Sequence, residues 1–227
     1  MNPTTPTSTT QNRGTHLVVE GTNYSGKGVL IDQIVDDLTS RQHEVFVTRE
    51  PGGTPIGEKF RTALKETPDV TDFTRALGMN ASRAELVARV ITPKIASGMT
   101  VISDRWLDST DVFQISMGAM SPAEKLVIKS VHSLFPVPAL RIFLVPSREL
   151  LHSRWNAKRA ETDVFEQCPD REREAYLAQY TRRATAGDPV VLIETTLQDQ
   201  DAFRLLCTTA AYQRIQTLRP HPCLAST

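Results

Sequence analysis

The chain has 227 residues, 40% of them hydrophobic, and its 26 Lys and Arg balance 26 Asp and Glu. That length and composition suit one α/β domain with a sizeable core. The charge balance gives no reason to expect a nucleic-acid polymer or an anionic membrane as a partner, so any anion must be bound by a local cluster of residues.

The first residues, Met1–Arg13, form a tract of mainly Thr, Pro, Ser and Asn. The tract lacks the apolar segment of a signal peptide, and we expect a disordered tail. A transit peptide is the alternative, but the tract has one arginine and no amphipathic pattern. We expect a single domain over residues 14–218 and a mobile tail over 219–227.

The three cysteines are widely separated and show no CxxC spacing. This argues against a disulfide framework and against a zinc site, and it favours a reducing, cytoplasmic location. No apolar run approaches the roughly 18 residues that a membrane helix needs, so we expect no membrane partner.

A phosphate-binding loop is indicated between the apolar run Leu17–Val19 and the helical pattern Val29–Leu38. The connecting sequence is GTNYSGKG, from Gly21 to Gly28, a GxxxxGK motif that ends in glycine instead of Ser or Thr. Backbone N–H groups of such a loop can bind phosphates, with Lys27 against the β- and γ-phosphates. The alternative is an ordinary glycine turn with a surface lysine, and the strand and helix on either side argue against it.

Short apolar runs alternate with helical patterns along the whole chain. The runs are Leu17–Val19, Val45–Val47, Thr100–Ile102, Ile142–Val145 and Val190–Ile193. The helical patterns are Val29–Leu38, Ala81–Ala96, Pro122–Leu134, Glu149–Trp155, Arg171–Ala184 and Asp199–Thr217. This alternation predicts an α/β fold of three layers, a five-stranded parallel sheet flanked by helices on both faces.

Polar segments that follow the second and third runs are predicted to meet at one edge of the sheet, where open α/β sheets bind ligands. The first is TREPGGT, in which Arg49 on a glycine turn suits a phosphate. In the second, Asp104 could orient the waters of a magnesium ion and Arg105 could bind a phosphoryl group. The alternatives are a surface ion pair of Arg49 with Glu50, and a helix N-cap by Asp104 beside a solvated Arg105.

Arg83 and a later cluster of basic residues can each be interpreted either as solvated surface residues or as part of a binding site. Arg83 lies on the polar face of a helical pattern, where a solvated arginine is the default. A basic cluster follows the fourth strand and comprises Arg148, Arg154, Lys158 and Arg159. Such a stretch is usually a solvated helix, but near a phosphate site it can close over the donor and exclude water.

Several of these segments, in this order and spacing, resemble thymidylate kinases. They are Val19-Glu20-Gly21, Ser25-Gly26-Lys27, TREPGGT, Ser82-Arg83-Ala84-Glu85, and Asp104-Arg105 with Asp108-Ser109-Thr110. The resemblance implies a P-loop nucleoside monophosphate kinase fold with a lid at about 154–166. It also implies transfer of the γ-phosphoryl group of ATP to the 5′-phosphate of dTMP, a need for Mg²⁺, and a homodimer.

The resemblance assigns roles to individual residues. The catalytic set would be Lys27, Asp104, Arg105, Lys158 and Arg159, with Asp104 reaching the metal through water. The residues that bind ATP would be Gly21, Thr22, Asn23, Tyr24, Ser25, Gly26, Lys27, Gly28, Val29 and Arg154. The residues that bind the acceptor would be Asn23, Arg49, Met79, Arg83, Arg105, Ser109, Thr110, Phe113 and Gln114.

Some positions depart from the pattern of the family. Gly28 and Val29 stand where hydroxyl residues are usual, which predicts weaker binding of metal and ATP. Asn23 stands where an aspartate near the sugar is common, and Met79 where a phenylalanine stacks on thymine. Two alternatives therefore stay open: a kinase of the same fold for a modified or different deoxynucleotide, and a nucleotide-binding module that has lost catalysis.

Overall fold

The computed structural model of the chain describes residues 14–158, 169–196 and 202–218. The expected tails, the predicted lid from Arg159 onward and the side chain of Lys158 lie outside the described residues. The boundaries of the single domain therefore stay a prediction.

Five parallel strands form one sheet in the order β2-β3-β1-β4-β5. The strands are β1 Thr15–Gly21, β2 Val45–Arg49, β3 Thr100–Asp104, β4 Leu140–Pro146 and β5 Val190–Thr195. Every residue of β1 and β4 is buried, because helices cover both faces of the sheet. The predicted five-stranded parallel sheet is confirmed.

Ten α-helices lie within the described residues. They are α1 Lys27–Ser40, α2 Pro55–Glu66, α3 Asp72–Leu86, α4 Thr92–Ala96, α5 Leu107–Thr110, α6 Pro122–His132, α7 Arg148–Lys158, α8 Pro169–Thr185, α9 Ala202–Cys207 and α10 Ala210–Gln216. Two π-helical segments, Val87–Ile91 and Asp111–Ser116, continue α3 and α5. None of the helices in these ranges is long and apolar enough to span a bilayer.

The helices differ from the sequence prediction in several places. Helix α5 and the π-helical segment that continues it were not predicted. Helix α2 was not predicted, although Ile56, Phe60, Ala63 and Leu64 recur at the spacing of one helix face. Helix α3 begins at Asp72, whereas the predicted pattern began at Ala81. The apolar pattern missed the first half of the helix because much of its buried face is polar. The single helix predicted over Asp199–Thr217 is, within the described residues, the pair α9 and α10.

The core is divided between the two faces of the sheet. Leu17 and Val19 of β1 point to the face that packs on α1, where Ile34 is fully buried. Val18 points to the opposite face and packs with Leu86 and neighbouring apolar residues. This alternation follows from the two-residue period of a strand.

His16, at the start of β1, is a buried polar residue of the second face. Its Nε2 lies 2.9 Å from the Ser103 hydroxyl, and its ring meets the ring of Trp106 edge-on at 4.9 Å. Burial, with a smaller contribution from the charge of Arg141, lowers the pKa of His16 from 6.5 to about 3. The imidazole is therefore neutral in the folded protein at any moderate pH.

A His16→Gln variant is expected to flatten the acid side of the stability profile. The unfolded chain takes up a proton at His16 near pH 6.5 and the folded protein near pH 3, so the wild type loses stability as the pH falls below 6.5. The loss from this group is about 1.4 kcal/mol per pH unit. Urea unfolding at about pH 7.5 and pH 5 measures it. The stability advantage of the wild type over the variant should shrink by roughly 2 kcal/mol at the lower pH, and an advantage independent of pH would contradict a neutral His16.

Candidate active site

The segments that follow β1, β2 and β3 meet at the carboxyl edge of the sheet, as predicted for an open α/β fold. They are the loop Gly21–Gly28, the turn from Glu50 to Thr54, and the stretch from Arg105 to Thr110. The backbone links them, since Glu50 N donates to Asp104 O and Arg105 N donates to Val19 O, both at 3.0 Å.

The loop after β1 has the geometry of a phosphate-binding loop. Gly21 and Gly26 have positive φ angles of 144° and 95°, and a Cβ at Gly21 would lie 2.0 Å from Leu144 O, so glycine is required there. Lys27 begins α1 and reaches back across the loop, where its Nζ donates to Gly21 O at 3.2 Å and Thr22 O at 2.8 Å.

Lys27 is a buried cation. Burial, followed by the charge of Arg105, lowers its pKa to about 7, although nearby carboxylates oppose the shift. A bound phosphate would add negative charge beside Nζ and favour the protonated form. This makes the loop an electrostatically favourable site for a polyphosphate, and the interpretation of Lys27 as a surface lysine is wrong.

An open cleft of about 600 Å³, which we call the loop cleft, lies over this loop. It is lined by the residues from Asn23 to Val29, together with Asp104, Arg105, Arg154 and Ala157. Arg154 on α7 donates through Nη1 to Tyr24 O at 3.0 Å and to Ser25 O at 2.9 Å. The structure thus brings together the residues predicted to bind ATP, with Gly21 and Thr22 beneath the loop as acceptors for Lys27.

Asp104 ends β3 and lines the loop cleft. Its Oδ1 is buried and has no hydrogen-bond partner among the described residues. A buried carboxylate oxygen is costly unless it is paired, so this atom fits a hydrated cation. The N-cap of α5 is Trp106, and the alternative in which Asp104 caps that helix is therefore wrong.

There is free space at Gly28, where the usual motif has a residue with a hydroxyl group. A Cβ added at Gly28 would meet no atom within 4 Å. Within residues 14–158, 169–196 and 202–218, no group of three or more His, Cys, Asp or Glu side chains could hold a metal ion. A cation near Asp104 would therefore take most of its ligands from water and from the phosphates of a bound nucleotide.

Arg105 has a φ angle of 72° and lies half-buried between two clefts. Its Nη1 donates to Gly21 O at 3.2 Å, Ser109 Oγ at 3.1 Å and Tyr176 OH at 2.7 Å, and its Nη2 donates to Asn23 Oδ1 at 2.6 Å. Burial opposes its charge, but the surrounding acidic groups outweigh burial and raise the pKa of Arg105 further. The alternative of a solvated Arg105 is wrong.

The second cleft, which we call the inner cleft, has a volume of about 230 Å³. All residues predicted to bind the acceptor line it, except Arg49 and Gln114. No binding role was predicted for the other six lining residues, which are Glu50, Pro51, Arg61, Leu64, Lys65 and Trp106. Asn23 and Arg105 line both clefts.

Arg83 forms a buried ion pair in the wall of the inner cleft, where a solvated arginine was the default expectation. Its Nε lies 2.5 Å from Glu50 Oε2, and Nη1 donates to Asn80 Oδ1 at 2.7 Å. Its Nη2 donates to Trp106 O at 3.2 Å and to Thr110 Oγ1 at 3.3 Å. Burial raises the pKa of Glu50 to about 7, and the charge of Arg83 opposes that rise.

Two predicted residues lie elsewhere. The side chain of Arg49 is 57% exposed, and its Nη2 lies 3.3 Å from Glu58 Oε2. It therefore forms a surface ion pair, but with Glu58 and not with its neighbour Glu50. Arg49 lies in a separate cleft that also includes Gly28 and Asp104. Gln114 is 1% exposed and does not line the inner cleft. The acceptor-binding roles of both residues stay predictions.

The family model described as thymidylate kinase matches residues 19–201 of the chain. The chain belongs to the thymidylate kinase family.

Individual thymidylate kinases match a shorter region. The thymidylate kinase of Methylobacillus flagellatus is 42% identical over 114 residues, which are 50% of this chain and 55% of that protein. The thymidylate kinase of Chlorobium luteolum is 42% identical over 99 residues, which are 43% of this chain and 46% of that protein. The chain thus spans about half the length of the curated relatives it matches.

A solved thymidylate kinase from Ehrlichia chaffeensis has the same fold. It superposes with a TM-score of 0.62 at 21% identity, over 81% of this chain and 92% of the other. The P-loop kinase fold expected from the sequence is confirmed.

Glu20, which belongs to the segments that resemble the family but was given no role, anchors two residues that line the inner cleft. The carboxylate of Glu20 accepts from Trp106 N at 2.7 Å, Ser109 N at 3.1 Å and Ser109 Oγ at 2.7 Å. Burial, with the nearby Asp108, raises the pKa of Glu20 to about 7. An acidic residue directly after the apolar run Leu17–Val19 was the available sequence signal.

Buried ion pairs also attach the segment after β3 to other elements of the fold. Asp108 is fully buried and lies 2.7 Å from Arg183 Nε and 3.2 Å from Arg141 Nε. These arginines come from α8 and β4, so the ion pairs attach the wall of the inner cleft to two other elements. Their sequence separation explains why no local pattern indicated them.

An Arg83→Met variant is expected to lose roughly 3–5 kcal/mol of unfolding free energy, because Glu50 is left buried without its charged partner. The loss should be smaller at pH 6 than at pH 8, since Glu50 can then take up a proton. Urea unfolding at both pH values measures it.

The double variant Arg83→Met/Glu50→Leu serves as the control and should recover most of the lost stability, because no buried charge remains. Equal losses in the single and double variants would contradict the importance of this pair.

Proposed function

We propose that this protein transfers the γ-phosphoryl group of ATP to the 5′-phosphate of dTMP, yielding ADP and dTDP. The observation that supports this most directly is the shared wall of the two clefts. Asn23 and Arg105 line both the loop cleft and the inner cleft. A triphosphate on the loop and a nucleotide in the inner cleft would therefore approach each other at Arg105.

The donor would bind in the loop cleft. The N–H groups of the loop and the N-terminus of α1 offer backbone donors to its phosphates, and Lys27 adds a buried positive charge. Arg154 lies against the outer side of the loop and would keep the loop in the binding conformation.

The acceptor would bind in the inner cleft. Arg105 faces the loop cleft and would hold the 5′-phosphate, while Arg83 and Thr110, joined at 3.3 Å, would face the pyrimidine edge. The half-buried Met79, whose Sδ lies 4.0 Å from Thr110 Oγ1, would cover the base with a polarizable thioether.

The protein would accelerate the reaction by alignment and by neutralising charge. Phosphoryl transfer needs little covalent work from the enzyme, and a well-placed arginine can contribute on the order of a thousand-fold or more in rate. Arg105 fits this role because its guanidinium is fixed by four acceptors. Lys158 and Arg159 stay predicted contributors from the lid.

Magnesium would neutralise the charge of the donor phosphates when bound. Asp104 is the residue that would hold it, through water, because its Oδ1 is buried and otherwise unpaired within the described residues. Gly28 offers no hydroxyl to the ion, so we infer weaker metal binding than a Ser or Thr at this position would give.

We also propose a homodimer in the cytoplasm. Leu126 and Leu134, on α6 and just after it, are 69% and 80% exposed, and Leu77 on α3 is 41% exposed. Exposed apolar side chains on neighbouring helices suit a contact between two copies. The balanced net charge supports neither a nucleic-acid polymer nor a membrane as a partner.

A panel of deoxynucleoside monophosphates with ATP and magnesium tests the acceptor. Turnover of dTMP is expected to exceed that of dCMP and dGMP by at least tenfold in kcat/KM, since a pocket that pairs with one base edge leaves polar groups unsatisfied by another. dUMP has the same polar edge as dTMP and lacks only the 5-methyl group, so its turnover should be about tenfold lower through the lost apolar contact alone. Equal turnover of all four would favour the same fold acting on another deoxynucleotide. Nucleotide binding without any turnover would establish a module that has lost catalysis.

A Gly28→Ser variant tests how the metal is held. The added hydroxyl has open space and should lower the magnesium concentration for half-maximal ATP binding about fivefold, within the range of a single hydrogen bond or ligand contact. Titration calorimetry of ATP at several magnesium concentrations measures this shift. Gly28→Ala is the matched control, because it adds the same Cβ without the hydroxyl. The hypothesis fails if the serine and alanine variants behave alike.

A further inference from the structure

Helix α8 places two buried polar side chains against the wall that the two clefts share. Glu172 is 4% exposed and Tyr176 is fully buried. They lie four residues apart, so both point from the same face of the helix. The functional residues proposed above include neither of them.

Glu172 holds the phosphate loop by its backbone. Its Oε1 accepts from Asn23 N at 2.7 Å, a short hydrogen bond to a charged acceptor, which is stronger than one between neutral groups. The charge of Glu172 also acts on Lys27 and on Arg105, favouring the protonated form of each. Asn23 in turn accepts from Arg105 through its side chain, so Glu172 is two contacts away from that guanidinium.

Tyr176 holds Arg105 directly. Its hydroxyl oxygen accepts from Arg105 Nη1 at 2.7 Å and lies 2.9 Å from Ser109 Oγ. The Ser109 hydroxyl donates its one proton to Glu20 Oε2 at 2.7 Å, so Tyr176 must be the donor in its contact with Ser109. The resulting chain, from Tyr176 through Ser109 to Glu20, fixes Arg105 relative to the end of β1.

We propose that Glu172 and Tyr176 are positioning residues that hold Asn23 and Arg105, the two residues common to both clefts, in the relative position that phosphoryl transfer needs. The inference rests on the function proposed above. An error of about 1 Å in the placement of a reacting group can cost on the order of a hundredfold in rate. One helical turn of α8 thus controls the alignment of donor and acceptor without contacting either.

If Tyr176 had only a structural role, replacing it with phenylalanine would leave the rate of the reaction unchanged. Its ring packs on Phe143 and Phe113, with centroid distances of 6.5 Å and 6.1 Å, and phenylalanine would keep this packing. Only the hydroxyl contacts Arg105 and Ser109. Tyr176→Phe therefore separates packing from positioning.

Steady-state kinetics with ATP and dTMP is the first experiment. Tyr176→Phe is expected to lower kcat about tenfold, with both KM values within about threefold of the wild type. Tyr180→Phe is the matched control, because Tyr180 also packs on Phe143 one turn further along α8, and it should leave kcat unchanged. The thermal midpoints of the two variants are expected to be similar. A kcat for Tyr176→Phe within twofold of the wild type, or an equal loss in both variants, would overturn the proposal.

Hydrogen–deuterium exchange of the free protein is the second experiment, and it needs no turnover. Removal of the acceptor in Glu172→Ala should speed exchange at the Asn23 amide about tenfold, as expected for the loss of one hydrogen bond to a carboxylate. Glu174→Gln is the control, since Glu174 is exposed and pairs with Arg148 at the surface, and it should leave exchange in the loop unchanged.

Unchanged exchange at Asn23 in Glu172→Ala would overturn the role of Glu172. The two experiments also separate the inference from the proposed function. If the wild type fails to phosphorylate dTMP, the proposed function fails, whereas the exchange result still reports whether α8 holds the loop.

Discussion

The rest of the site depends on the hydrogen bonds that the guanidinium of Arg105 donates. Arg105 lies at the carboxyl end of β3 in a left-handed backbone conformation, and its hydrogen bonds join the loop after β1, α5 and α8. The buried acceptors compensate the cost of removing this charge from water. Because Arg105 lines both clefts together with Asn23, its position would determine, in the proposed function, how one ligand lies relative to the other.

Gly28 and Met79, two of the positions that depart from the family pattern, line the clefts, whereas a third, Asn23, also takes part in the supporting framework. Gly28 is exposed and Met79 half-buried, whereas Glu20, Glu50, Arg83 and their partners are buried and paired. The buried hydrogen bonds and ion pairs of this framework are thus formed, and in the proposed function Gly28 and Met79 would change only what the clefts offer to a metal and a base.

Local patterns predicted the sheet and the phosphate loop, because apolar β-branched runs and a glycine motif determine backbone structure over short stretches. The partners of charged residues were not predictable in this way. Arg83 pairs with Glu50 and Arg49 with Glu58, and only the folded chain brings the first pair together. Helix α8 has a strongly polar sequence in which Glu172 and Tyr176 do not stand out. Their burial follows from how α8 packs on the sheet, which periodicity does not reveal.

The cations around the phosphate loop have a consequence for its peptide groups. Lys27 donates to the carbonyls of Gly21 and Thr22, and Arg154 to those of Tyr24 and Ser25. A cation at a carbonyl oxygen polarises the whole peptide unit and makes the N–H on its other side a stronger donor. The two side chains therefore act through the amide bonds as well as through space, and the loop attracts anions more strongly than its neutral backbone alone would.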